Sequence, residues 1–223
     1  MSGNPVAFGK LYEAKPTEWV IQGLMAKGSL LLLTGGRQSG KTILALSLVQ
    51  GVATEHVFLQ CECARHPVAY FNRYESKAEL WKLVNEVTRS GLNATDVAYA
   101  SVYGSWDADE QIPDIEDGRL DEMAKAGTVL VFDTIPDPKE INSPEAFLRR
   151  ARRLANAGPG VVMFGSRLWD RVQSTRNMPR VHLKLAKTEN RIVVEAAKQG
   201  RKTSVNLSTN EFGGLLLSVS GWE

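Results

Sequence analysis

The apolar positions of this chain fall into short continuous runs that alternate with helically spaced stretches. Leu30 to Leu33 sit in a strand predicted over 29–34, and Ile43-Leu44-Ala45-Leu46-Ser47-Leu48-Val49 opens a helix over 41–53. A second strand is predicted at 67–72. The helix over 76–90 follows, with Leu80, Leu83, Val84 and Val87 on one face and Gly91 as its stop. Further strands are predicted at 97–103, 128–133 and 160–165, with helices near 119–126 and over 143–157. Ser143 caps the last of these, and Pro144 takes its first position. Strand–helix alternation with short connections predicts a mainly parallel, helix-covered sheet. The tail changes period: 181–186 and 191–197 alternate around a turn at 188–190, and strands at 203–207 and 214–219 follow. These predict antiparallel hairpins added to the parallel sheet. Residues 1–28, with Pro16 and the amphipathic run Trp19–Met25, read as an approach segment to a single domain over 29–223.

Composition supports this frame. A length of 223 residues suits one large α/β domain, and 43% hydrophobic with 23% charged residues is ordinary for a soluble globular chain. No apolar run approaches about 18 residues, so no membrane span is expected. The first ten residues lack a signal-peptide layout, which makes the cytoplasm the expected location. The formal charge of +2 hides two strong local imbalances. Eight acids face Arg119 alone between Asp107 and Glu122, whereas ten Lys and Arg face three acids between Gly165 and Lys202. The basic stretch favours a polyanionic partner. His56, Cys61, Cys63 and His66 lie close enough in sequence to permit a zinc site. Their C-x-C spacing departs from the usual C-x2-C, and that leaves a plain connection as the simpler reading.

The chemistry concentrates at Gly35-Gly36-Arg37-Gln38-Ser39-Gly40-Lys41-Thr42, which fits G-x-x-x-x-G-K-[ST] between a strand and a helix. Glycines let successive backbone N–H groups surround an anion, and the helix N-terminus adds its positive dipole end. Lys41 then reaches the β- and γ-phosphates and the Thr42 hydroxyl ligates Mg²⁺, so ATP and Mg²⁺ are the expected cofactors. Thr128 to Asp133 is an apolar strand ending in an acid, as a Walker B element should, and places Asp133 in the metal's water shell. Thr134, not Glu, follows it. Glu75, just past the 67–72 strand, is the acid available to orient the attacking water.

Three segments in order, Glu18 to Ser29, the phosphate loop, and Val68 to Leu80 with Glu75 and the Glu79-Leu80 pair, resemble RecA-like ATPases of the plasmid RepA hexameric helicase type. Asp133-Thr134 matches that family's Walker B ending, and the resemblance covers about residues 17–217. It implies a RecA-like P-loop NTPase core with C-terminal antiparallel hairpins, assembled as a ring and in all expectation a hexamer. Glu75 becomes the catalytic base. Lys198 and Arg201 become residues that reach a neighbouring subunit's site. Residues 166–180 become the channel loop, with Arg171, Arg176 and Arg180 on the phosphates of single-stranded DNA or RNA and Trp169 stacking a base. A replication or repair protein is a further expected partner. One departure stands out. The family's strand before this loop ends in a polar residue such as His or Gln, whereas here Ser166-Arg167 follows Phe164-Gly165. That departure favours a rival reading, a nucleotide switch with slow hydrolysis that gates a protein partner. A small-molecule P-loop kinase is a weaker rival, because the chain ends in hairpins where a kinase needs an acceptor pocket and lid.

Overall fold

The structure, a computed structural model, describes residues 16–73, 76–88, 100–104, 113–172, 181–188, 191–196, 202–209 and 215–219. The chain enters through a hairpin of β1 (Trp19–Ile21) and β2 (Met25–Ala26). It continues into β3 (Ser29–Gly35), helix α1 (Lys41–Thr54), a small hairpin of β4 (Val57–Phe58) and β5 (Cys61–Glu62), β6 (Val68–Asn72), α2 (Lys77–Thr88) and β7 (Ala100–Gly104). Then come α3 (Gly118–Lys125), β8 (Val129–Asp133), a 3-10 turn at Pro138–Glu140, α4 (Pro144–Ala157), β9 (Gly160–Ser166) and the one-turn α5 (Trp169–Val172). Strands β10 (Val181–Thr188), β11 (Arg191–Ala196), β12 (Lys202–Thr209) and β13 (Leu215–Val219) complete it.

A nine-stranded sheet in the order β13-β12-β11-β10-β3-β9-β8-β6-β7 organises the molecule. Every pairing from β10 to β7 is parallel, and β10 through β13 pair antiparallel. This is the α/β class expected, with a parallel core like that of a RecA-like P-loop NTPase and hairpins at one edge. Strand β3 shows why its sequence is apolar throughout. Leu31 and Leu33 face α1 and its cluster, while Leu30 and Leu32 face α4 and the opposite cluster. A strand buried on both faces has no polar side to alternate with. Each such leucine contributes about 1.5–3 kcal/mol through burial.

The lead-in packs more deeply than an approach segment suggests. Val20, Ile21, Leu24 and Met25 join the α1-side core, and Ile21 bridges to Cys63. Helix α4 starts as its sequence requires: Ser143 Oγ accepts from the Ala146 N–H at 3.3 Å, and Pro144 follows. Its buried Arg150 donates to Asp121 through both terminal nitrogens and to the Ile115 carbonyl through Nε at 3.1 Å. This fork fastens α4 to α3.

Candidate functional site

The phosphate loop leaves the C-terminal end of β3 and turns into α1. Gly40, the residue before that helix, has φ of +84° and offers no capping side chain. A Cβ there would lie 2.3 Å from Ile192 Cδ1, so both conformation and space demand glycine. A Cβ on Gly35 would meet Ser39 Oγ at 2.2 Å. The loop therefore closes on itself without side chains, which leaves the helix N-terminus open to an anion. Ser39 Oγ is buried there and has no hydrogen-bond partner among the described residues. Lys41 Nζ donates to the Gly36 carbonyl at 2.8 Å, folded over the loop's mouth. These features fit a nucleoside triphosphate: an anion cradle, a lysine across it, and the Thr42 hydroxyl on the first helical turn.

A cleft of about 1090 Å³ opens over this loop. The loop forms its floor, Glu79, Lys82 and Leu83 of α2 one wall, and Thr134, Asp137, Ser166 and Arg167 the other. Its volume is at the upper end for a small-molecule site. Ser76 and Glu79 cap α2 reciprocally, since Glu79 Oε2 accepts from both the Ser76 N–H at 3.0 Å and its hydroxyl at 2.7 Å. Those bonds hold the Glu79 carboxyl below the usual range.

Asp133 ends β8 with 1% of its surface exposed. Alternation places residues 129, 131 and 133 on the α1 side, the same side as Tyr70 and Asn72 of the neighbouring β6. Tyr70 lies opposite Val131 in the register, so its phenol reaches diagonally to the next same-face residue. Tyr70 Oη donates to Asp133 Oδ2 at 2.6 Å, and Asn72 Nδ2 donates to Tyr70 Oη at 3.4 Å. The Asp133 carboxylate is thus held by a buried polar chain that the sequence reading passed over. Two adjacent strands with a tyrosine and an aspartate in matching phase were the available signal. Thr134, next in the chain, adopts φ of +69°, a left-handed conformation costly for a β-branched residue, and its hydroxyl lies 3.4 Å from Asp133 Oδ1.

The structure corrects the expectation for Trp169. Its side chain is fully buried, its indole N–H donates to the Pro136 carbonyl at 2.9 Å, and its ring packs 5.6 Å from Phe147. It cannot stack a base. Gly165 is the cause: a Cβ there would lie 2.8 Å from Trp169 Cδ1, so glycine makes room for the indole to fold inward. Arg171, on α5, is exposed. Glu75, Arg176, Arg180, Lys198 and Arg201 lie outside the described residues. Helix α5 is nevertheless tied to the nucleotide site, since Thr34 Oγ1 at the end of β3 donates to Asp170 Oδ1 at 2.6 Å.

The cysteine–histidine segment does not gather into a metal centre. Leu59 and Gln60 form a tight turn with positive φ, and Cys63 points into the core while Cys61 lies half-buried on the hairpin. Burial pushes the Cys63 thiol up to about 12 and the His66 imidazole below its usual value. Among the described residues, no three His, Cys, Asp or Glu side chains are placed to hold a metal ion. Nor, among these residues, is any helix long and apolar enough to cross a membrane.

A family model described as an AAA domain matches residues 5–156. The matched region contains the phosphate loop, Tyr70 and Asp133, and reaches into α4. No curated protein matches the chain. With the larger part of its length matched and the phosphate loop built as described, the chain belongs to the AAA-domain family of P-loop ATPases.

Proposed function

We propose that the chain is the ATP-hydrolysing unit of a ring motor that acts on single-stranded nucleic acid, close in type to the RepA-like helicases. One observation carries this reading. Helix α5 is bonded both to the phosphate-loop strand, through Thr34–Asp170, and to the segment after Asp133, through Trp169–Pro136. It also opens the arginine-bearing stretch that ends at Arg180. A change at the nucleotide is therefore positioned to act on α5.

Lys41 serves the β- and γ-phosphates, and Thr42 and Asp133 serve Mg²⁺, which offsets charge on the phosphate oxygens when bound. Glu75 orients the attacking water and takes its proton. Lys198 and Arg201 serve a neighbouring subunit's site in a homo-oligomer, taken as a hexamer. Arg171, Arg176 and Arg180 hold nucleic-acid phosphates, with Trp169 now assigned to packing. A replication or repair protein is a further partner in this reading.

The test is ATP hydrolysis with and without single-stranded DNA, run beside strand binding across salt concentrations. Stimulation by DNA is expected. Replacing Arg171, Arg176 and Arg180 with Ala should flatten the logarithmic salt slope by about two units, at roughly 0.7 per phosphate contact. No stimulation and an unchanged slope would favour the second reading, a slow nucleotide switch gating a protein partner. That reading draws on Ser166, whose hydroxyl accepts from the Leu168 N–H at 3.3 Å and so serves the local turn.

A further inference from the structure

We infer that the outer face of α4 is a second nucleic-acid contact, where Arg149, Arg152 and Arg153 hold successive phosphates of a strand. The inference rests on the nucleic-acid part of the reading above and extends it to a surface away from the nucleotide cleft. Helix α4 buries Leu148, Ala151, Leu154 and Ala155 in the core. The helical period then turns Arg149, Arg152, Arg153 and Asn156 outward. Arg149, Arg153 and Asn156 are exposed, and Arg152 is half-buried. With Ala146 and Glu116 they border a cavity of about 390 Å³, which shares no residue with the cleft over the phosphate loop. Arg153 stands one turn beyond Arg149, and Asn156 one turn beyond Arg152, so donors repeat about every 6 Å along the helix axis.

The adjoining segment is acidic, but its carboxylates are directed elsewhere. Asp117 pairs with Arg119 at 2.7 Å, Asp121 pairs with the buried Arg150, and Glu116 Oε2 lies 3.4 Å from Arg150 Nε. Arg119 and Arg150 stand outside the row. The cavity itself is bordered by three arginines and one acid. The row is also held in place, because the Arg150 fork and the Ser143 cap fix α4 before any ligand arrives. A guanidinium presents a planar fork that matches phosphate oxygens. A row of donors that repeats with each helical turn suits a ligand whose charges repeat as well, and the nucleic-acid backbone is such a ligand. Position supports the same occupant. The ring centroids of Phe147 on α4 and Trp169 on α5 lie 5.6 Å apart, and α5 carries Arg171. The two arginine-bearing surfaces therefore belong to elements in contact.

The experiment measures binding of a single-stranded oligonucleotide by fluorescence anisotropy across salt concentrations. A photoreactive form of the same oligonucleotide is cross-linked to wild type and mapped by peptide mass analysis. The variants are the Ala triple at Arg149, Arg152 and Arg153, the Lys triple at the same positions, and the Ala triple at Arg171, Arg176 and Arg180. Thermal unfolding and DNA-free ATP hydrolysis should match wild type in both α4 variants, since the row lies outside the core and the nucleotide cleft. Loss of three phosphate contacts, at roughly 0.7 each, should flatten the logarithmic salt slope of the α4 Ala variant by about two units. Between about 50 and 200 mM salt, wild type should therefore lose about twentyfold more affinity than that variant. The Lys triple should keep the slope and bind several-fold more weakly, because the charge is kept and the fork is lost. Cross-links should fall within 144–157. An unchanged slope in the α4 Ala variant, or cross-links confined to 166–180, would overturn the assignment. If only the channel-stretch variant loses binding, the α4 assignment alone fails; if wild type binds no strand, the nucleic-acid reading fails with it. Displacement of the oligonucleotide by polyglutamate at matched charge would make carboxylates the ligand of this face and overturn the assignment as well.

Discussion

Replacing Tyr70 with Phe removes one oxygen and leaves the ring, so the core around β6 keeps its volume and its packing. What is lost is the 2.6 Å hydrogen bond to Asp133, a carboxylate with 1% exposure. Hydrogen bonds to charged groups contribute about 1.5–3 kcal/mol. For a domain of this size each kcal/mol moves the unfolding midpoint by about 2–4 °C, so Tyr70→Phe should unfold about 3–12 °C lower. A second effect follows from orientation. The phenol fixes Oδ2 and thereby the orientation of the carboxylate proposed to serve Mg²⁺. Loss of such a supporting bond typically costs about 10–100-fold in metal affinity or activity. The assay is thermal unfolding with and without ATP, over a Mg²⁺ titration, followed by hydrolysis at saturating ATP. The Mg²⁺ concentration for half-maximal stabilisation should rise about tenfold. An unchanged midpoint together with an unchanged Mg²⁺ requirement would refute the claim that Tyr70 positions Asp133.

Three further outcomes follow from the same geometry. Thr134→Gly relieves a left-handed β-branched residue at φ of +69°, so stability should rise by about 1 kcal/mol while hydrolysis falls; a lower melting temperature would contradict the strain. Asp121→Asn breaks the fork to Arg150 and should cost about 1.5 kcal/mol at neutral pH, the low end, because the carboxylate is a third exposed. The Arg150 hydrogen bonds hold the Asp121 carboxyl below its ordinary 3.8, so its contribution is complete above that value and is lost as the pH falls through the lower folded one. Wild type should therefore destabilise more steeply than Asp121→Asn on acidification below about pH 4, and parallel curves would exclude the linkage. Iodoacetamide at pH 8 should modify half-buried Cys61 well before Cys63, whose thiol burial holds near 12; equal rates by peptide mass analysis would place Cys63 outside the core.

The parallel core was legible because its strands are buried on both faces and therefore apolar without a break, as in Leu30 to Leu33. The phosphate loop was legible because its chemistry is local: glycines, a lysine and a helix start, all within eight residues. What was not legible shares a different origin. Trp169 lies in a basic stretch and reads as a surface residue, but its burial depends on the space that Gly165 leaves beneath β9 and on a carbonyl at Pro136, thirty-three residues away. The run Trp19–Met25 reads as an amphipathic approach, yet its apolar residues join the α1-side core and its backbone bonds to Glu62 and Ala64. Tyr70 and Asp133 sit sixty-three residues apart, and only the register of β6 on β8 brings them together. Local chemistry is written in consecutive residues, whereas contacts made by strand register are not.

The most direct test of the central claim is ATP hydrolysis by the full chain with and without Mg²⁺, measured beside Lys41→Ala. Lys41 spans the loop's mouth and is the cation proposed to serve the β- and γ-phosphates. The account predicts Mg²⁺-dependent release of phosphate by the wild type and loss of detectable hydrolysis in Lys41→Ala, with weakened nucleotide binding. Hydrolysis by Lys41→Ala at the wild-type rate, or none by the wild type with Mg²⁺ present, would contradict it.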